Sequence, residues 1–320
     1  MITVILTSYK EPNTVAKAIE SIADSKYSGY SGDMQFIQIS PDESTLQVGL
    51  QSLAKISKNN PNFQFIQLED PGKGKPIALN LGLKEAKGDI VIFTDGDVYF
   101  ERDAVGKLVN KFERDKKIGA VTGRPVSSDS KSDMMGYYGH LFADANHYRR
   151  MIDLEKAPQE GSKLFVKRHK FFPMSGYIMA VKRELLPESL PEDALVDDAY
   201  ISYYVFNQGM KIAYESEAIA YIKYPDNLSD YFKQKKRSTG GYVQLWKYPG
   251  IINEETKSRS FWHELEMFWF PFKYAKSIRE FFWSLLLIPI RAWLWLQIIF
   301  EQRVLKKDFE KTWVRVESTK

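Results

Sequence analysis

Up to residue 93 the chain alternates short apolar runs with stretches of helical periodicity, and that alternation restricts the folds open to it. Thr3–Leu6, Phe36–Ile39, Phe63–Leu68 and Ile90–Phe93 read as strands, rich in β-branched and aromatic side chains. Between them lie predicted helices over 14–23, 46–57 and 77–86, the first opened by Glu11-Pro12 and the last closed by Gly88. Strands that alternate with helices in this way form a mostly parallel sheet flanked by helices, an α/β architecture of Rossmann-like type.

The fourth strand ends in Asp95-Gly96-Asp97. On an extended backbone the two carboxylates share one side, and Gly96 leaves room for a ligand to approach the main chain. Ligands of open α/β sheets collect beyond the carboxyl ends of the strands. Two hard oxygen donors there suit Mg²⁺ or Mn²⁺ carrying phosphate oxygens. Asp-Gly is also a common turn pair, so a solvated corner is an equally open reading of the motif alone.

Gly72-Lys73-Gly74-Lys75 precedes the third helix but lacks the spacing of a P-loop, and Pro76 stands where Ser or Thr belongs. Asp95-Gly-Asp97 is likewise not an EF-hand, because Tyr99 and Phe100 fill the next ligand and glycine positions. Two lysines before a helix N-terminus can still attract an anion, and a solvated basic turn is the alternative.

Composition narrows the classes further. The absence of cysteine excludes disulfides, thiolate zinc sites and cysteine nucleophiles. Lys+Arg 45 against Asp+Glu 41 leaves a net charge of +4, too balanced for a nucleic-acid binder. No basic-then-apolar leader precedes the first strand, so no signal peptide is expected.

Beyond residue 116 the pattern is mixed. A strand is expected over 118–122, a helix over 134–151, and a loop leading into a strand over 171–181, with Ser175-Gly176 at its start. An acidic cluster, Asp197-Asp198, opens a helix that stops before Gly209; one of the two acids is expected to cap it, leaving the other for chemistry. Strands follow over 211–214 and 218–221, then a basic segment, Tyr231–Tyr242, helical up to Gly240-Gly241. His140, His147, His169 and His263 show no metal-ligand spacing and read as surface or core histidines; positioning phosphate is the alternative for His169, in Lys167-Arg168-His169-Lys170.

All seven tryptophans lie at or after Trp246, a shift that marks a second region. Phe281–Phe300 is long enough to cross a bilayer, but Pro289 and Arg291 interrupt it near the middle. Trp and Tyr mixed with Lys and Arg is the composition of the headgroup level, and helices lying on the membrane are the expectation. A buried pair of core helices is the alternative.

The chain resembles the family-2 glycosyltransferases, inverting nucleotide-sugar enzymes of the GT-A fold, over roughly residues 1–240. The matching motifs are Leu6-Thr7-Ser8-Tyr9-Lys10-Glu11, Asp42, Gly72-Lys73-Gly74-Lys75 before Ala78-Leu79-Asn80, Asp95-Gly96-Asp97, Ser175-Gly176, Asp197-Asp198 and Gln234-Lys-Lys-Arg237. Their order and spacing together carry the resemblance.

The resemblance implies that Thr7, Tyr9 and Glu11 hold base and ribose, with Asp42 on the base, Asp95 near the ribose and Lys75 on the diphosphate. Asp97 would ligate Mg²⁺ or Mn²⁺. Asp198 would be the catalytic base, with Ser175, Gly176 and Asp197 on the acceptor side. Gln234 and Arg237 resemble the Gln-x-x-Arg-Trp motif of processive synthases, with Ser238 in place of the tryptophan. The implied donor is a UDP- or GDP-sugar, and the implied acceptor a hydroxyl of a glycan or lipid-linked sugar at the cytoplasmic face of the membrane. Direct transfer to a polyprenyl phosphate is second, ahead of a polysaccharide synthase or a nucleotidyltransferase. The expected division is a catalytic domain over 1–242, with halves 1–125 and 126–242, and membrane-associating helices over 243–320.

Overall fold

A computed structural model describes residues 1–24, 28–154, 171–252, 266–303 and 317–319. The chain divides into two compact units, one of residues 1–126 and 173–222, the other of residues 127–172 and 223–319.

The first unit is built on one eight-stranded sheet of order β3-β2-β1-β4-β7-β6-β8-β5. Its strands are β1 (Ile2–Thr7), β2 (Met34–Ser40), β3 (Phe63–Glu69), β4 (Ile90–Asp95), β5 (Tyr99–Phe100), β6 (Ile118–Ser127), β7 (Met179–Lys182) and β8 (Lys211–Ile222). β3, β2, β1 and β4 pair in parallel, whereas β7 runs antiparallel to both β4 and β6, and β5 antiparallel to β8. Every residue of β1 and β2 is buried, which is why both read as near-continuous apolar runs. Their few polar side chains are satisfied: Gln38 donates to Thr45 O at 3.1 Å and Gln35 to Glu85 O at 2.9 Å.

The helices of this unit are α1 (Val15–Ala23), α2 (Glu43–Asn59), α3 (Lys75–Glu85), α4 (Ala104–Glu113) and α6 (Asp197–Asn207). In α1 the buried Val15, Ala18, Ile19, Ile22 and Ala23 recur at i, i+3, i+4, i+7 and i+8, one face of a helix. α3 lies so close to the sheet that a Cβ on Gly82 would come within 2.9 Å of both Ile39 and Ile5. Ile5, Ile37, Leu79, Val91, Phe93, Val181, Ile201 and Val205 join in one core.

The second unit contains α5 (Met134–Asp153), α7 (Leu228–Gln244), the short α8 (Phe270–Tyr274) and α9 (Ile278–Arg303). Tyr137, Tyr138 and Leu141 of α5, Tyr231 of α7 and Leu287, Leu294 and Ile298 of α9 form its core.

Three local expectations are corrected. The two strands expected over 211–214 and 218–221 are one continuous strand: within it Glu215 is neutralised by Lys111 at 2.8 Å and Glu217 is exposed, so neither charge interrupts it. The helix over the basic segment does not stop at Gly240-Gly241 but runs through them to Gln244, with both glycines buried. Phe281–Phe300 belongs to one helix that carries Pro289 inside it. Residues 261–265 and His169 lie outside the described residues.

Candidate active site

The sheet order reverses between β1 and β4, the crevice where α/β sheets take ligands. Thr7 and Asp95 are register partners at the carboxyl ends of those strands, and the Thr7 hydroxyl donates to Asp95 Oδ1 at 2.9 Å. The strand ends at Asp95 and the chain turns at Gly96-Asp97, so the two acids are not successive same-side positions of one extended strand. Asp95 instead meets Lys75 Nζ at 2.7 Å. Asp97 is half-buried beside Tyr99, whose hydroxyl pKa is raised by burial and then by Asp97 and Glu11.

Gly96 is required by space. A Cβ there would lie 2.5 Å from Glu11 Oε2 and 2.7 Å from Ser8 Cβ, so the Glu11 carboxylate packs directly on the turn. Gly96 N–H donates to Thr7 O at 2.9 Å, tying the turn to β1.

Asp42 shapes the loop after β1. Its carboxylate caps α2 through Thr45 N–H at 3.0 Å and accepts from Ser40, Ser44 and, at 2.7 Å, from Lys10 N–H. Lys10 adopts the left-handed φ of 56° that this hydrogen bond fastens, with its ammonium over the half-buried Tyr9 ring. Burial opposes the Asp42 charge, but these hydrogen bonds prevail and hold its pKa at about 2.

Lys75 begins α3, directly after Gly74, whose φ of 132° suits only glycine. Its side chain is 26% exposed and links the end of β4 to the start of the helix at Asp197: besides Asp95, its ammonium lies 3.7 Å from Asp197. Burial works to lower the Lys75 pKa, but Asp197 and then Asp95 outweigh it, and the pKa is raised. Burial raises the Asp197 pKa, Lys75 pulls it back, and Asp198 and Asp95 add to the rise.

Asp197 and Asp198 are the first two residues of α6, and neither is its cap, a position held by Val196. The expectation that one acid caps the helix is therefore corrected: both lie inside its first turn, where the helix dipole favours negative charge. Asp198 Oδ2 accepts from Gly176 N–H at 3.1 Å and Oδ1 from Ala199 N–H at 2.8 Å. Ser175 N–H donates to Thr122 Oγ1 at 3.0 Å, and Met174 N–H to Ser202 Oγ at 2.9 Å. This lacing brings Ser175-Gly176 onto Asp198. Asn80 exchanges hydrogen bonds of 2.9 and 2.7 Å with Leu190, holding the segment before α6 against α3.

Thr7, Glu11, Lys75, Asp95, Asp97, Ser175, Gly176, Asp197 and Asp198 thus all belong to the first unit. Gln234 and Arg237 belong to the second, half-buried on α7. Residue types and order do not disclose the Lys75 bridge from Asp95 to Asp197, nor the anchoring roles of Thr122 and Ser202, because their partners lie far away in sequence.

Among the described residues no three His, Cys, Asp or Glu side chains form a metal cage. The donor chemistry still fits a hard cation. Mg²⁺ and Mn²⁺ bind through one or two carboxylates with the remaining positions on water and phosphate, and Asp97 supplies such a carboxylate.

A mostly parallel sheet with acids and the half-buried Lys75 at its switch point defines an α/β protein with a charged crevice at the carboxyl ends of its strands. The family profile described as Glycosyl transferase family 2 matches residues 3–189, and the chain belongs to that family. The match stops short of Asp197 and Asp198. Poly-β-1,6-N-acetyl-D-glucosamine synthase of Staphylococcus aureus (strain MSSA476) is 27% identical over 247 residues, 76% of this chain and 55% of the synthase. The Staphylococcus epidermidis synthase is 25% identical over 247 residues with the same coverage. The chain thus spans about half the length of these relatives. Among solved structures, the mannosyltransferase PcManGT from Pyrobaculum calidifontis, in complex with GDP-Man and Mn²⁺, superposes with a TM-score of 0.51 at 16% identity, covering 98% of this chain and 82% of that one. S. aureus TarS residues 1–349 in complex with UDP-GlcNAc gives 0.50 at 12% identity, covering 93% and 80%. These likenesses establish the GT-A-type fold.

Proposed function

We propose that the protein is an inverting, metal-dependent glycosyltransferase that moves a sugar from a nucleoside-diphosphate donor to a hydroxyl of a glycan or lipid-linked acceptor at the membrane. The observation that carries this reading is the Asp95–Lys75–Asp197 cluster at the sheet's switch point, with Asp97 two residues beyond Asp95 and the amide-held Asp198 next to Asp197. One carboxylate is available to a cation and a separate one to an acceptor.

Thr7, Tyr9, Glu11 and Asp42 form the base and ribose side, with Asp95 beside the ribose. Asp97 would hold Mg²⁺ or Mn²⁺, which when bound neutralises charge on the departing diphosphate. Lys75 contributes a second positive charge for that group. Asp198 orients the acceptor hydroxyl and takes its proton as oxygen attacks the anomeric carbon from the face opposite the diphosphate. Ser175, Gly176 and Asp197 shape the acceptor side. The N-acetylglucosamine in the names of the staphylococcal synthases and the UDP-GlcNAc of the TarS complex make UDP-N-acetylglucosamine the first donor to try, with GDP-mannose next.

Residues 1–242 are assigned to catalysis and 243–320 to membrane association at the cytoplasmic face. The support is an aromatic, apolar C-terminal helix long enough to cross a bilayer. The decisive assay is donor turnover with Mn²⁺ across nucleotide sugars, followed by transfer with Asp198→Asn. Transfer to a hydroxyl acceptor is expected to fall by about 10²–10⁴-fold with donor binding retained. Full transfer by that variant would overturn the base assignment and favour an acceptor already ionised, such as a polyprenyl phosphate.

A further inference from the structure

From Ser284 to Glu301, α9 is attached to its own unit by one face. Ser284, Leu287, Arg291, Leu294, Ile298 and Glu301 follow each other at intervals of three and four residues, a single stripe. Ser284, Leu287, Leu294 and Ile298 are at most 5% exposed. The polar members of the stripe are fastened at intervals. Ser284 Oγ meets Tyr137 Oη at 2.8 Å, Arg291 donates to Tyr231 Oη at 2.8 Å, and Lys236 Nζ meets Glu301 at 2.8 Å.

The opposite face is apolar and exposed among the described residues. Phe282, Leu285, Pro289, Trp293, Leu296 and Phe300 again follow at intervals of three and four, and Phe282, Trp293, Leu296 and Phe300 are 53–60% exposed. Pro289, on this outward face, cannot donate to the carbonyl of Leu285, which leaves a polar group there for water or headgroups. Lys273, Lys276 and Arg279 stand exposed at the start of the helix, and match a negatively charged surface.

We infer that α9 does not cross the bilayer but lies in its plane, with the Phe282–Phe300 face sunk into the acyl boundary of an anionic membrane and the Ser284–Glu301 stripe against α5 and α7. At about 1.5 Å per residue its 26 residues reach about 39 Å, enough to span. Spanning would drag Tyr231, Lys236 and the other charges of α7 into hydrocarbon along with it. The inference rests on the membrane reading proposed above and fixes its geometry.

The test uses the full chain, which has no cysteine of its own. Leu285→Cys, Trp293→Cys, Leu296→Cys and Phe300→Cys are each spin-labelled and mixed with phosphatidylcholine vesicles with and without phosphatidylglycerol. Accessibility to oxygen and to a water-soluble nickel complex then gives the depth of each label. The expected result is one shallow depth for all four labels, reached only with phosphatidylglycerol. Depth that rises to a maximum near Trp293 would overturn the in-plane geometry in favour of a span. Labels that stay in water, or that broaden one another in a dimer, would overturn the lipid as occupant. The double variant Phe282→Glu/Leu296→Glu is expected to lose vesicle partitioning by on the order of tenfold or more. Its donor hydrolysis in vesicle-free solution is expected to match the parent, so a failure here is distinguishable from a failure of the glycosyltransferase reading.

Discussion

Replacing Lys75 by methionine keeps most of the side chain's volume and removes the charge that joins Asp95 at the end of β4 to Asp197 at the start of α6. Two unit charges 4 Å apart interact by about 4 kcal/mol at an effective dielectric near 20. Deleting one partner of a buried pair costs about 3–5 kcal/mol, because the other is left uncompensated. Lys75 is 26% exposed and Asp95 23%, so solvent screens part of this, and a loss of about 2–3 kcal/mol is expected. The sign with pH follows from Asp197, whose pKa is already raised by burial and is opposed by Lys75. Without the lysine the folded carboxyl holds its proton more tightly still. The penalty is then full above the folded pKa and fades as pH falls toward the ordinary carboxylate value near ~4. Urea midpoints at about pH 8 and about pH 5 should therefore differ from the parent more at the higher pH. Adding Asp197→Asn should restore part of the loss at the higher pH. Equal midpoints for Lys75→Met and parent at both pH values, or no restoration by Asp197→Asn, would refute the account of Lys75 as the neutraliser of this cluster.

Gly96→Ala should destabilise by about 1–3 kcal/mol and weaken nucleotide binding, since its methyl group meets Glu11 and Ser8; thermal melts and nucleotide titration with Mn²⁺ read both. Asp42→Ala should cost about 1 kcal/mol or more at neutral pH through loss of the α2 cap and of the Lys10 tether. The Asp42 contribution is present above the ordinary carboxylate pKa and lost as pH falls through about 2, so melts of parent and variant should converge in strong acid. Asp97→Ala should keep the fold but lose Mn²⁺-dependent donor turnover, measured as released nucleoside diphosphate against metal concentration.

The parallel half of the sheet was legible because strands buried on both faces leave unbroken apolar runs, as in Ile90–Phe93. β8 was harder: Glu215 and Glu217 break its apolar run without breaking its hydrogen bonding, since Glu215 finds Lys111 on α4. Gly240-Gly241 misled for the opposite reason, as buried packing in α7 overrides the low helix propensity of glycine. The acids at the strand and helix ends stood out in the sequence by residue type. Their linkage did not, because it depends on Lys75 reaching Asp95 and Asp197 from the start of α3, and on Gly176 offering an amide to Asp198 from the loop before β7.

β7 lies antiparallel beside β4, yet reaches that place only after the chain has left the sheet at Ser127 and come back at Pro173. The stretch between supplies α5, whose Tyr137, Tyr138 and Leu141 pack with α7 and α9 in the core of the second unit. No single cut of the chain therefore separates the two units: each is assembled from two stretches, and the sheet of the first receives β7 only after α5 has been synthesised.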